Sequence, residues 1–236
     1  MADQADSSDN SQPDPPQWEP RPDRWEQGDW EDPSTWRRKI GTAEELEAVA
    51  DAIVRGTEIK EKDPDGDEQV IVGRVGSTEW DQSHSISLHV IIENLKALIQ
   101  AVQNHPDARL AKVETETDEE GFLRVNRRWV EDAQGNMLPG GSEPTELRLW
   151  HCVIASTAAA GESYHGVDIG IAIRASARFT GMADLRGARF AGKADFSLAS
   201  FIENADFSEA SFAEDASFSV VLFAGKANFR WVRFAG

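Results

Sequence analysis

Three short stretches of the sequence combine residue types that could do chemistry. Asp63-x-Asp65-x-Asp67 sets carboxylates at alternate positions, as at the start of a calcium-binding loop. Gly66 comes too early for that loop, however, and no Glu stands at its twelfth position, so the stretch reads as the charged turn of a hairpin. His84 and His89 are five residues apart, a spacing that suits a metal pair on neither a helix nor a strand. His151 next to Cys152 has the composition of a thiol–imidazole pair. Adjacent residues on a strand point to opposite faces, so the two cannot form a dyad there. The sequence holds no glycine-rich phosphate loop and no nucleophile elbow. No catalytic, cofactor-binding or metal-binding residue is assigned, and the chain reads as non-enzymatic.

These stretches belong to a chain of 236 residues with a formal charge of −18. The charge is uneven. Residues 174–236 carry eight Lys/Arg and seven Asp/Glu, a net +1, which leaves −19 on residues 1–173. An acidic chain repels phosphate backbones, so direct nucleic-acid binding is not expected. Cys152 is the single cysteine, which rules out an internal disulfide and fits a reducing compartment. The first apolar stretch lies far from the N-terminus and no apolar run reaches 18 residues. Neither a signal peptide nor a membrane-spanning helix is read, and a cytoplasmic location is expected.

What must position any functional side chain is a repeat. Large apolar residues recur at Phe179, Leu185, Phe190, Phe196, Phe201, Phe207, Phe212, Phe218, Phe223, Phe229 and Phe234, with spacings that alternate between 6 and 5. Two residues before each stands Ala or Val, from Ala177 to Val232. Residues two apart share one side of an extended chain, whereas a helix would scatter spacings of 5 and 6 around its axis. A unit this short cannot bury its Phe alone, so the units must stack. Each buried ring contributes roughly 1.5–3 kcal/mol of transfer free energy.

Units such as Ala183-Asp184-Leu185-Arg186-Gly187, Ala194-Asp195-Phe196 and Ala205-Asp206-Phe207 resemble the pentapeptide-repeat family, whose units read A-(D/N)-(L/F)-x-x. The resemblance covers about residues 175–236. It implies a right-handed quadrilateral parallel β-helix, mainly β, with four units to a turn. The extra residue in every second unit makes one turn 22 residues long. Phe179, Phe201 and Phe223 should then stack on a first face, and Leu185, Phe207 and Phe229 on a second. Phe190, Phe212 and Phe234 form the third, and Phe196 with Phe218 the fourth. Gly181, Gly192 and Gly225 fall at the corners that hold the inserted residue, where a turn needing positive φ is expected.

Upstream, residues 1–41 read as a disordered acidic tail with six Pro and four Trp: Trp18, Trp25, Trp30 and Trp36. These Trp either fold back onto the next domain or form a linear motif for a partner. Residues 42–140 read as a small α+β domain. Thr42-Ala43-Glu44-Glu45 is a capping box opening a helix to Arg55, followed by a hairpin over 57–76 that turns at Pro64-Asp65-Gly66. A second helix is predicted from Ser83 or Ser85 to about Val102, and a β-meander over 110–137. Residues 141–174 read as lead-in strands that cap the solenoid at 175–236.

The function expected from this organisation is a protein-interaction or scaffold module. Its candidate contact strip is Leu198, Ile202, Val220 and Leu222, apolar residues at outward positions of the first face and its corner. Two occupants are open: residues 42–140 folding back over the strip, or a partner protein. The family resemblance also raises a DNA-mimicking inhibitor or protector of a type II topoisomerase, which requires an acidic rod where this one is near neutral. A further alternative is a membrane-associated fragment of a longer repeat protein. The chain stops in mid-repeat at Phe234-Ala235-Gly236, so either residue 236 is not the natural end or this end pairs with another subunit, as a homodimer through the C-terminal solenoid end. No cofactor is expected.

Overall fold

The 11-residue period closes the chain into a four-sided tube. The computed structural model describes residues 16–28, 35–74, 84–155 and 164–235. One regular coil consists of the two-residue strands Arg178–Phe179, Ala183–Asp184, Arg189–Phe190 and Ala194–Asp195. Each pairs in parallel with the strand 22 residues later, so Phe179 lies beside Phe201, Asp184 beside Asp206, Phe190 beside Phe212 and Asp195 beside Ser217. The faces read from the sequence are therefore the faces observed. Along a face the rings stack, with centroids 4.5 Å apart for Phe179 and Phe201 and 4.7 Å for Phe190 and Phe212. Across the tube they meet edge to face, as at Phe207 and Phe218 (5.5 Å, 90°). Offset-stacked and edge-to-face contacts are the two arrangements that ring quadrupoles favour.

The Asp or Asn that precedes the inward residue in some units has a local role. The Asp195 and Asp206 carboxylates accept from the backbone N–H groups of Ser197 and Ser208, both at 2.9 Å, and the Asn228 amide oxygen accepts from Arg230 N at 3.1 Å. These Asx turns bend the chain at the corner. The positive-φ positions differ from expectation. They are Gly187, Leu198, Glu209, Val220 and Trp231, eleven residues apart, with φ between 57° and 65°. Gly181, Gly192 and Gly225 are not among them. Two of these glycines answer a different need, close approach between coils. A Cβ on Gly225 would sit 2.5 Å from the Glu203 carbonyl, and one on Gly192 3.0 Å from that of Ile171.

The N-terminal region supplies β1 (Trp25–Gln27), β2 (Trp36–Ile40), α1 (Ala43–Arg55), β3 (Ile59–Lys62), β4 (Glu68–Arg74), β5 (His84–Ile86), β6 (Val90–Ile92), α2 (Leu95–Asn104), β7 (Leu110–Thr117) and β8 (Leu123–Glu131). Helix α1 starts where expected: Thr42 and Glu45 form both bonds of the capping box, and Gly56 ends the helix at φ 67°. The second helix starts later than expected, at Leu95 with Asn94 as its cap. The spacing of Leu88, Ile91, Ile92 and Leu95 suits a helix, but the β-branched Val90-Ile91-Ile92 run is drawn into a sheet as β6. The expected meander is a single hairpin, β7 on β8, with one isolated bridge from Glu131 to Met137. Three hairpin turns share the pattern Asp-x-x-Gly. Asp63, Asp118 and Asp132 each accept two backbone N–H bonds, and Gly66, Gly121 and Gly135 take positive φ.

Sheet pairing runs through the expected domain boundaries. Strands β9 (Glu146–Leu149), β10 (Val153–Ile154), β11 (Asp168–Ile169) and β12 (Ala172–Ala175) form the solenoid's first turn instead of a separate cap. They bring the solenoid to about four turns over 146–234. The first face continues upstream through β10 and β6 to β2 and β1, and the fourth through β12 and β9 to β5, β4 and β3. Each of these seven-stranded sheets ends at its N-terminal edge in an antiparallel strand, β1 on one and β3 on the other. These strands close the edges.

The segments 16–28 and 35–41 are part of this closure, which corrects the expectation of a tail disordered throughout. Residues 1–15 and 29–34, with Trp30, lie outside the described residues. Glu61 accepts four bonds, from Trp18 Nε1, Trp25 Nε1, Arg21 N and Arg38 Nε, at 2.9–3.1 Å. Arg38 is fully buried and also donates to Glu45 at 2.8 Å. A buried ion pair of this kind is favoured when its remaining polar atoms are hydrogen-bonded, and the Trp side chains do this for Glu61, while Arg38 Nη2 has no hydrogen-bond partner among the described residues.

Candidate interaction surface

The repeat core sits where the period places it. Phe179, Leu185, Phe190, Phe196, Phe201, Phe207 and Phe212 are at most 3 % exposed. Phe218 and Phe223 are half-buried, and Phe229 and Phe234 in the last coil are exposed. With these rings turned inward, the outward positions decide the surface. Leu198, Val220 and Leu222 are 56 %, 80 % and 56 % exposed, and Ile202 is half-buried. Leu198 N donates to Ser219 O at 3.0 Å, which sets Leu198 and Val220 on neighbouring coils of one corner. Leu222 lies beside Ser200 on the first face. The four residues thus run along one edge of the rod.

The backbone at this edge adds a second observation. Leu198 and Val220 have φ of 65° and 57°. A residue with a Cβ costs about 1–2 kcal/mol in this region, and a branched one such as Val is an outlier there. Gly or Asn would meet the turn's demand at less cost. Large apolar side chains therefore stand, exposed, at positions where the turn itself disfavours them.

Residues 42–140 do fold back on the solenoid, but elsewhere. Ala111 N donates to Gly170 O at 2.7 Å and Arg128 Nη2 to Ala213 O at 2.7 Å. The β7–β8 hairpin thus runs beside the third face, across the tube from the first. None of Leu198, Ile202, Val220 or Leu222 lines the clefts beneath it. The second face offers no bare acidic column. Burial alone would raise the Asp184 pKa, but two bonds from Arg186 at 2.8 Å outweigh it and hold the carboxyl below its ordinary value. Asp206 accepts from Asn228 Nδ2 at 3.0 Å.

The stretches that could have carried chemistry are engaged in folding. Asp63 binds backbone N–H groups of its own turn and Gln69 Nε2, and Asp65 accepts from Trp36 Nε1 at 2.7 Å. His84 lies on β5, whereas His89 lies in the turn before β6, where burial lowers its pKa. His151 is exposed, at φ 50° and edge-on to Trp150, while Cys152 is fully buried, which pushes its thiol up to about 12. Among the described residues no group of His, Cys, Asp and Glu could hold a metal ion, and no helix is long and apolar enough to cross a membrane.

Two features went unread in the sequence. The Asp-x-x-Gly pattern at Asp63, Asp118 and Asp132 marks these three turns, and it recurs at Asp184–Gly187 in a corner of the solenoid. Glu61 carried no such signal, because one acidic residue in an alternating strand looks the same whether it meets solvent or a buried Arg. Comparison with known families matches residues 175–222 to the pentapeptide-repeat model, in nine copies. Comparisons with curated proteins and with solved structures return no match.

Proposed function

We propose that this chain, whose residues 175–222 are pentapeptide repeats, is a non-enzymatic interaction module that presents the edge of its solenoid to a protein partner. The observation that carries this reading is the strip of exposed Leu198, Val220 and Leu222, with Ile202 beside them, in which Leu198 and Val220 stand at a corner where the turn disfavours such residues. Exposed apolar patches with polar surroundings mark contact sites. Repeat solenoids bind through extended faces of this kind, because neighbouring coils repeat the same outward position. The surroundings here are Ser197, Ser200, Ser217 and Ser219, and the Arg174–Asp195–Glu146 ion ladder.

The test is the triple variant Leu198→Ser, Ile202→Ser, Leu222→Ser in the full chain, assayed by pull-down from the source organism and by thermal unfolding. Lost partners with an unchanged unfolding temperature are expected. A full set of partners retained by the variant would overturn the reading. A lowered unfolding temperature would make the strip a packing feature.

A further inference from the structure

The β7–β8 hairpin is a two-stranded sheet, and the outer edge of β7 is open over part of its length. Three bonds fix which backbone groups face that edge. Ala111 N donates to Gly170 O of the rod at 2.7 Å, and Val130 O, on the residue opposite Ala111, accepts from Leu138 N at 2.7 Å. Both residues of this pair therefore face away from the hairpin's own ladder. Towards the tip, Asp118 N donates inward, to Phe122 O at 2.9 Å. Pairs in an antiparallel ladder alternate between bonded and unbonded, so the odd-numbered residues of β7 face outward and the even-numbered ones face β8. The bulge between Glu114 and Thr115 keeps this parity, because its extra residue, Asn126, lies on β8. The N–H groups of Val113, Thr115 and Thr117 thus point outward, and no described residue accepts from them.

This edge overlooks the rod. Ala111 is tied to Gly170, and Arg128, opposite Val113, reaches Ala213 O, so the hairpin is laid along the coils. Between them is a cleft of about 630 Å³, with Val113, Thr115 and Thr117 on the hairpin wall. The rod wall is the outward column of the third face: Asp168, Arg189, Ser211 and Arg233, each paired with the next coil. The column spans about 14 Å and the open edge about 17 Å, room for a strand of five or six residues. Arg189 is committed to Asp168 through two bonds. Arg233 and Lys112, which also lines the cleft, are exposed and have no salt-bridge partner among the described residues. The cleft is therefore cationic on a chain whose charge is −18.

We infer that this cleft takes an extended, acidic peptide segment of a partner protein, which adds to β7 as a third strand and sets a carboxylate against Arg233. Outward amides at every second residue are what an extended backbone recognises, and main-chain bonds supply the affinity in such strand addition. A two-stranded hairpin is marginal by itself, and the half of β7 from Glu114 to Thr117 is exposed, so a third strand completes a sheet that the rod supports only near Ala111 and Arg128. Charge selects the occupant: a basic segment would meet Arg233 and Lys112 unpaired, and an acidic one complements them. The site lies across the tube from the Leu198–Val220 edge and does not rest on the reading given for that edge.

The test pans a display library of random octapeptides against the full chain, and the most enriched peptide, made synthetically, becomes the probe. Enriched sequences should be acidic and free of proline in their centre. Thr115→Pro removes an outward N–H and spares the hairpin's own ladder, so the probe should bind about tenfold more weakly while thermal unfolding is unchanged. Arg233→Glu should weaken it about threefold. N-methylation of alternate residues of the probe should abolish binding in one parity and leave it intact in the other, as strand addition requires and side-chain docking does not. This comparison uses the unmodified protein, so it decides the matter even where Thr115→Pro disturbs the hairpin. A library that yields no binder, binders without acidic bias, or equal effects of the two N-methyl parities would overturn the inference. So would a probe that ignores Thr115→Pro and is lost in the Leu198, Ile202 and Leu222 variant, because it would then sit on the first-face edge.

Discussion

The regular coils and the N-terminal region build the same two sheets by different means. From Arg178 onward each coil repeats one solution: a two-residue strand, an inward ring, an Asx turn and a corner. Every coil is stabilised by its neighbours, and no residue in it is individually specific. Upstream, the first and fourth faces are continued by strands of three to seven residues without the period. These are closed by antiparallel strands and tied by one buried carboxylate, Glu61. A repeat distributes its stability over many equivalent contacts. Its closure concentrates stability in a few groups that have no substitutes.

Core truncation should separate the coils most strongly. Phe212→Ala is expected to lose about 3–5 kcal/mol in denaturant titration, because the ring is fully buried between Phe190 and Phe234 and leaves a cavity. Phe234→Ala, at a site already 53 % exposed, should lose much less. Equal losses would mean that the coils do not share load as neighbours.

Closure is tested by Glu61→Gln. The change keeps the shape but removes one of the two carboxylates paired with the buried Arg38, and a loss of about 2–3 kcal/mol is expected. Trp18 and Trp25 fluorescence should report the same loss, since both indoles donate to this carboxylate. A loss below about 1 kcal/mol would place the closure in apolar packing instead of the network.

The smallest effect should have the opposite sign. Val220→Asn is expected to gain about 0.5–1 kcal/mol, because Asn tolerates the φ of 57° that Val resists. The same change in the inner coil, Leu198→Asn, should behave alike. A loss at both positions would show that their side chains contribute packing that outweighs the strain.

The sequence by itself determined the solenoid's period, its four faces and the inward direction of every Phe in the repeat. A strict 11-residue rule admits one stacking register, and a one-residue slip would turn the rings to solvent. It also placed α1, because a capping box is local chemistry. It left undecided what the flanking segments join. Val90-Ile91-Ile92 satisfies a helix and a strand equally, and only the open edges at β2 and β10 settled the choice. Ile169 and Ile173 break the Phe register yet pair into the ladders, beside Phe190 and Ala194, since a ladder requires backbone groups and not a particular side chain. The corner conformations escaped for the same reason: glycine marks both positive φ and close approach, and only the stacked coils show which is needed. The path of the hairpin across the third face, which leaves the Leu198–Val220 edge uncovered, came from long-range packing with no local signal in the sequence.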